Sequence, residues 1–314
     1  MSKVSIVIPN YNMDSYLIHA VRSALNQTVA DIEVIVTDNA STDNSIETLK
    51  EVADRRLILS TNAENLGAIR NFNRGVEMAS GTYIKFLEAD DLLEADCVEK
   101  MLAIMEADEE IVMCCSGRRY IDASGETIGG HVRRSLEITY GNEVRHRTLR
   151  EGNEFGTPSD VMVRRDVFVL CGGFDLGYGS YLNDWDLWLR IAQHGKIAFV
   201  AEKLAIVRRH QQQMGATGAR DNRDVDVMMR MVDKCFSDDR SYSTWLKIHF
   251  AAEFLRRAVV QVLKAPNSRS FTYFCATWKK LLERVGGIRT FAAFIYCPSI
   301  LQYFYVRHKW KYRV

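Results

Sequence analysis

Three acidic clusters in this sequence carry residue types that could do chemistry. The first is Leu87-Glu88-Ala89-Asp90-Asp91-Leu92-Leu93. Carboxylates this close repel one another unless a cation sits between them, and hard divalent cations take oxygen ligands. A Mg²⁺ or Mn²⁺ ion bound there would hold a diphosphate; without one, the same acids would favour the positive end of a helix. The second cluster, Asp38-Asn39-Ala40-Ser41-Thr42-Asp43, offers Asp38 to a nucleobase imide. It also reads as a turn into a helix capped by Thr42 or Asp43. The third is Asn183-Asp184-Trp185-Asp186-Leu187-Trp188-Leu189-Arg190. Asp184 beside an aromatic suits a general base for a sugar hydroxyl, since aromatic faces pack on pyranose rings and desolvation raises carboxylate basicity. Trp185 and Trp188 equally suit a helix face packed in a core, with Asp184 a plain N-cap.

These clusters need elements to position them. Residues 4–8 are a nearly continuous apolar run, as in a strand buried on both faces of a parallel sheet. Leu17, Val21, Ala24 and Leu25 recur at helical spacing behind Asp14 as N-cap. Further strands are predicted at 33–36, 57–59 and 83–87. Helices are predicted through Ile46, Leu49 and Val52 and over 67–78. Repeated β-α units imply a parallel sheet with helices on both faces. Such sheets bind ligands beyond the carboxyl ends of their strands. Pro9-Asn10-Tyr11-Asn12 follows the first strand, Asp38-Asn39 the second and Glu88-Ala89-Asp90-Asp91 the fourth, so two acidic clusters and an aromatic converge on one crevice.

Farther along, 111–115 reads as a strand and Asp122-Ala123-Ser124-Gly125 as a turn between short antiparallel strands. A strand over 159–163 leads through a short helix to Cys171 and a break at Gly172-Gly173. A helix over 184–194 is closed by Gly195. Val225, Met228, Met229 and Val232 share one helix face, and Leu246, Phe250, Phe254 and Val262 a longer one.

At 314 residues the chain has room for two domains. The change of pattern places them at 1–215 and 216–314, the second a helical extension. Lys+Arg 41 against Asp+Glu 40 leaves a net charge of +1, which argues against a nucleic-acid partner. Apolar residues at 47% and charged at 26% exclude a disordered or collagen-like chain. The opening residues lack a signal-peptide pattern, and seven cysteines without C-x-x-C spacing suit reduced thiols, so a cytoplasmic setting is expected. Residues 291–306 are almost wholly apolar, with Arg307, Lys309, Lys311 and Arg313 behind them. That run is short for a span. It suits peripheral contact of 291–314 with the inner face of the cell membrane, or a helix packed on the catalytic domain or on a second subunit of a homo-oligomer.

Taken in order, the pieces resemble the family 2 glycosyltransferases of GT-A fold. The resemblance runs from Val4-Ser5-Ile6-Val7-Ile8-Pro9-Asn10-Tyr11-Asn12 through Ser23-Ala24-Leu25-Asn26-Gln27-Thr28 and Glu33-Val34-Ile35-Val36-Thr37-Asp38. Asn65-Leu66-Gly67, Asn73-Arg74-Gly75 and Ala79-Ser80-Gly81-Thr82-Tyr83 lead to Asp90-Asp91. Gly172-Gly173-Phe174-Asp175 and Asp184-Trp185-Asp186-Leu187-Trp188 close it. It covers roughly 3–212 and implies an α/β fold, a mixed sheet flanked by helices.

By that resemblance Pro9, Tyr11, Asn12, Asp38 and Asn65 would frame the nucleotide, Asp90 the ribose region and Asp91 the metal. His210, in Arg208-Arg209-His210, would approach the metal or the diphosphate. Asp184 would deprotonate the acceptor hydroxyl for a single inverting displacement, with Mn²⁺ or Mg²⁺ offsetting charge on the departing diphosphate. Pro158 and Ser159, within Phe155-Gly156-Thr157-Pro158-Ser159, and Trp185 would face the acceptor. The implied donor is a UDP-sugar, with GDP- and dTDP-sugars as alternatives. The implied acceptor is a saccharide or a lipid-linked molecule in surface polysaccharide assembly. Three positions depart from the pattern: Glu88 for the usual first Asp of the metal loop, Asn183 for a Glu, and Phe72 for an Arg. The last leaves Arg70 or Arg74 to contact phosphate. Glu88 and Asn183 keep open the alternative of a non-catalytic nucleotide-sugar-binding or scaffolding protein. The sheet and the metal carboxylates would also suit a nucleotidyltransferase, which gives no reason for the Asp-Trp-Asp helix.

Overall fold

In the computed structural model, residues 3–178, 182–210 and 223–236 are described, with Lys247, Trp278, Lys279 and Glu283. Unbroken apolar runs make the centre of the sheet. β1 (Val4–Asn10) and β2 (Ile32–Asp38) are buried along nearly their whole length. They pair in parallel from Val4–Ile32 to Asn10–Asp38. β3 (Leu57–Thr61) continues outside β2, and β4 (Tyr83–Phe86) pairs with the other edge of β1, both parallel. The order β3-β2-β1-β4 therefore reverses at β1, which opens a crevice past the carboxyl ends of β1, β2 and β4.

Beyond β4 the sheet is mixed. β9 (Val161–Arg164) runs antiparallel to both β4 and β6 (Ile111–Ile121). β10 (Lys196–Arg208) lies parallel to β6 and carries the short β5 (Leu92–Leu93) antiparallel. β7 (Thr127–His131) pairs with β6, and β8 (Glu137–Tyr140), which leads into α5 (Gly141–Glu151), pairs with β10. This is the mixed, helix-flanked sheet implied by the sequence.

Alternation along β1 divides the core between two helical layers. Ile6 and Ile8 pack with Leu17 and Val21 of α1 (Asp14–Leu25) and Met101 and Met105 of α4 (Cys97–Ala107). Val7, between them, faces Gly75 of α3 (Ala68–Glu77). Beside α3, Phe72, Phe86, Phe168, Phe174 and Trp188 form an aromatic cluster with ring centroids 5.1–6.2 Å apart. It joins α3 to α6 (Arg165–Leu170) and α7 (Asn183–Ile191). So Trp188 is core.

Several local expectations shift by a residue or a turn. Asp14 is the first residue of α1 and Met13 its cap; the Asp14 N–H donates to Asp43 Oδ2 at 3.0 Å. α2 (Ser45–Leu49) starts after Asn44 and stops before Val52, while Asp43 Oδ1 accepts the Ser45 N–H at 3.0 Å. Asp43 thus serves two helix starts at once. Ser159 lies in a 3-10 turn, Pro158–Asp160, ahead of β9. Asp184 lies inside the first turn of α7, whose cap is Leu182 at φ 65°. α7 ends in a 3-10 turn, Ala192–His194, and Gly195 is extended; a Cβ there would strike the Glu110 carbonyl.

The chain divides into two compact units, Met1–Ala216 and Thr217–Val314. In the second, α8 (Arg223–Cys235) buries Met229, Met231, Val232 and Cys235. The longer helix predicted through 246–262 and the tail 291–314 lie outside the described residues. No helix among the described residues is long and apolar enough to cross a membrane.

Candidate active site

The crevice is a cleft of about 900 Å³. Of the residues singled out from sequence, Pro9, Tyr11, Asn12, Asn65, Asp90, Pro158, Asp184 and Trp185 line it. Asp38, Asp91 and Ser159 stand behind the lining, each 0–1% exposed. His210 is held against the cleft residue Asp90, its Nε2 2.8 Å from Asp90 Oδ2.

On one side, polar strand ends are stitched together. Asn10 Nδ2 donates to Asp38 Oδ1 at 2.7 Å and to Ser41 Oγ at 3.2 Å, and the Ser41 N–H donates to Asp38 Oδ2 at 3.0 Å. The carboxylate of Asp38 is thereby taken up within the protein. Asn12, at φ 53°, accepts the Thr42 N–H on Oδ1 at 2.8 Å, tying the loop after β1 to the loop after β2. A second layer is built from amides. Asn39 Nδ2 donates to Asn65 Oδ1 at 2.8 Å, and Asn62 Nδ2 to Asn71 Oδ1 at 2.9 Å. Asn71 Nδ2 in turn donates to the Thr37 carbonyl at 2.7 Å. The sequence reading placed Asn39 at the crevice but missed Asn62 and Asn71. The available signal was an asparagine at or just past the end of each of β1, β2 and β3.

The acidic loop faces this side. The Glu88 N–H donates to Ser159 Oγ at 3.0 Å, and Asp91 Oδ1 accepts the Arg208 N–H at 2.8 Å. Arg208 Nε donates to the Asp90 carbonyl at 3.0 Å and Nη1 to the Asp122 carbonyl at 3.1 Å, so its side chain clamps the loop. Burial, then the charges of Asp91 and Asp90, push the Glu88 carboxyl well above the usual range. Burial and Asp90 do the same to Asp91, against the Arg208 N–H. Among the described residues no three His, Cys, Asp or Glu side chains gather into a preformed metal cage. Asp91 Oδ2, however, is buried with no hydrogen-bond partner among the described residues. An ion such as Mg²⁺ takes only one or two carboxylates and completes its shell with water and phosphate, so this donor set fits it.

Asp184 shares the lining with Glu88 and Asp90, brought to the cleft by the first turn of α7. Burial pushes its carboxyl up to about 6, against the Trp185 N–H that donates to Oδ1 at 2.8 Å. α7 itself is anchored by Asp186, whose Oδ2 lies 2.6 Å from Arg190 Nη2, and by Arg190 Nη2 donating to the Gly173 carbonyl at 2.8 Å. Asn73 of α3 holds the cleft residue Phe174 from both sides, donating to its carbonyl at 2.8 Å and accepting its N–H at 2.9 Å.

The wall carrying Thr157 and Pro158 rests on buried charge. Lys85 is fully buried and donates from Nζ to the Ser159 carbonyl at 2.5 Å; burial pushes its ammonium pKa down. Asp160, also fully buried, accepts the Thr157 N–H at 2.7 Å and pairs with Arg118 at 3.1 Å. Gly156, at φ 98°, passes so close that a Cβ would strike the Asp160 carboxylate. As for the phosphate contact expected of Arg70 or Arg74, both are exposed and off the cleft lining, whereas Phe72 lines it. Among the described residues, the cation on the lining is Arg209.

The reversal of strand order at β1, the antiparallel β9 beyond it and the crevice at the strand ends are the architecture of the GT-A fold. Residues 5–170 match glycosyl transferase family 2, and the chain belongs to that family. An uncharacterized glycosyltransferase of Haemophilus influenzae is 33% identical over 172 residues, 54% of this chain and 66% of that protein. The chain thus spans just under two thirds of that relative's length. A chondroitin synthase of Escherichia coli is 37% identical over 126 residues, 40% of this chain and 18% of the synthase. Among solved structures, S. aureus TarS 1–349 in complex with UDP-GlcNAc superposes with a TM-score of 0.71 at 15% identity, over 93% of this chain and 83% of that one. At that identity the likeness speaks for the fold alone.

Proposed function

We propose that this chain is an inverting glycosyltransferase that moves a sugar from a nucleoside-diphosphate sugar, a UDP-sugar in the first instance, to a hydroxyl of a saccharide or lipid-linked acceptor. The observation that carries the reading is the cleft itself: a carboxyl held at about 6 shares a space of about 900 Å³ with an acidic loop. Relatives named chondroitin synthase support a saccharide acceptor, and the UDP-GlcNAc bound to TarS supports a UDP-sugar. The catalytic domain is 1–215, with 216–314 a helical extension.

In the reaction the acceptor oxygen attacks the anomeric carbon as its proton passes to the Asp184 carboxylate. The bond from that carbon to the diphosphate oxygen breaks, and its electron pair leaves on the nucleoside diphosphate. One displacement inverts the configuration. Asp38 and its amide neighbours shape the nucleotide side, with Pro9, Tyr11, Asn12 and Asn65 on the lining. Asp90 faces the ribose region, and Trp185 and Pro158 present apolar surface to the acceptor, with Ser159 bracing the loop from behind. Asp91, with His210 nearby on Asp90, would hold a Mn²⁺ or Mg²⁺ ion. Bound there, the ion supplies positive charge to the diphosphate as it leaves.

The test is release of nucleoside diphosphate from UDP-, GDP- and dTDP-sugars in Mn²⁺, Mg²⁺ or EDTA. Metal-dependent release from one donor, lost in Asp91→Ala, is expected. Donor binding without any turnover, unchanged by Asp184→Asn, would replace the enzyme with a nucleotide-sugar-binding module.

A further inference from the structure

We infer that Arg209 is the protein's own counter-charge for the diphosphate, an inference that rests on the transferase reading above. Among the described residues on the cleft lining, Arg209 is the only cation, set in a space that also holds Glu88, Asp90 and Asp184. A diphosphate entering among three carboxylates meets repulsion, and charge building on it as the sugar departs sharpens the need for a fixed positive group.

The end of β10 explains why the guanidinium is available. Side chains alternate along an extended chain. Arg208, 5% exposed, turns inward and gives its donors to the carbonyls of Asp90 and Asp122. His210 is engaged with Asp90. Arg209, between them, is exposed on the cleft side. Its backbone N–H donates to the Ile121 carbonyl at 2.8 Å, and its guanidinium carbon sits 4.5 Å from the centre of the Tyr120 ring. No carboxylate among the described residues lies within ion-pair distance of it. An aromatic platform orients a guanidinium by its face and leaves its in-plane N–H donors free. Those donors match phosphate oxygens.

Relocation of the charge fits the rest of the lining. Phe72 is packed against Phe86 and Phe174, so an apolar ring fills that wall of the cleft. Arg70 and Arg74, on the same helix, are exposed and do not line it. Among the described residues, the positive charge on the lining therefore comes from the residue after β10. Diphosphate binding consequently keeps a component that does not depend on a divalent ion.

Calorimetry on the full chain tests this with UDP, GDP and dTDP, the tightest of the three then being compared with its nucleoside, in EDTA and in Mn²⁺. In EDTA the diphosphate should bind more tightly than the nucleoside. Arg209→Gln should weaken the diphosphate by about 10-fold or more, the scale of one or two charge-assisted hydrogen bonds. It should leave the nucleoside unchanged, and Arg209→Lys should fall between. Because Arg209 is exposed, the melting temperature of the free protein should not move. Unchanged diphosphate affinity in Arg209→Gln, or an equal loss for the nucleoside, overturns the inference and leaves the transferase reading standing. A wild-type protein that binds none of the three diphosphates, with or without Mn²⁺, overturns that reading and the inference with it.

Discussion

Asp184 is under two opposed demands. In its proposed role as base it acts only when ionised, and burial holds its carboxyl at about 6, so turnover should rise with pH through about 6 and level off above. The same burial costs stability. The folded carboxyl binds its proton more tightly than the unfolded one, whose ordinary value is 3.8. Its contribution to stability is therefore full below that value and is lost as pH rises through about 6. At pH 7.5 the ionised side chain costs roughly 1–3 kcal/mol, allowing for its partial exposure. Asp184→Asn should accordingly cut turnover by about 10²–10⁴-fold while leaving donor affinity alone. It should also raise the denaturation midpoint at pH 7.5, with little change at pH 4. A midpoint that does not rise at pH 7.5 would mean the carboxylate is not paying a desolvation cost. Asp184 and the acidic loop were legible from sequence because reactive side chains concentrate after strands and at helix starts. Asn62 and Asn71 were not, because a single asparagine reads as a turn residue until its partners on other strands are known.

At the scale of elements, α3 is fastened to the sheet by one amide and one missing methyl group. Asn71, 2% exposed, bonds the Thr37 carbonyl and accepts from Asn62. Asn71→Ala takes the side-chain donor from the Thr37 carbonyl and leaves the Asn62 amide with Asn39 Oδ1 alone, at 3.1 Å, a loss of about 1–3 kcal/mol by urea denaturation, and it should weaken nucleotide binding because Asn39 and Asn65 share the network. Gly75 allows α3 to lie directly on β1 and β2. A Cβ there would strike Val7 Cγ1 and come within 3.4 Å of Thr37 Oγ1. Gly75→Ala should lose about 1–2 kcal/mol despite the better helix former, since overpacking outweighs the propensity gain of about 1 kcal/mol. A gain in stability would show that α3 can lift off the sheet at no cost. Strands of the first half were predictable within a residue or two, because continuous apolar runs suit only a doubly covered sheet. The strand β9 was foreseen over 159–163, but its antiparallel pairing and the extension of β6 to Ile121 were not. Ser116 to Arg119 break the apolar run, and what keeps Gly117 to Arg119 in the strand is pairing with β10 and, from Arg118, with β7, partners that lie outside the local sequence.

For the whole molecule, near-neutral net charge conceals a local imbalance: the chain carries +1 overall, yet its cleft holds three carboxylates and one guanidinium among the described lining residues. Ligand binding should therefore depend on groups placed in the cleft rather than on the field of the whole protein. All of those groups lie between Pro9 and Arg209, within the first compact unit, whose core is closed by its own helices. A unit with its own core can fold alone. Residues 1–216 expressed without the remainder should then unfold in one cooperative transition and bind the preferred nucleoside diphosphate within a few-fold of the full chain. Transfer to an acceptor is a separate question, because an acceptor held by residues 217–314 would be lost without any change in donor affinity. Calorimetry and denaturation on the shortened chain distinguish these cases. Folding with full donor affinity but no transfer would assign acceptor capture to the second unit. A cooperative fold that no longer binds the diphosphate would instead show that residues beyond 216 complete the donor site itself.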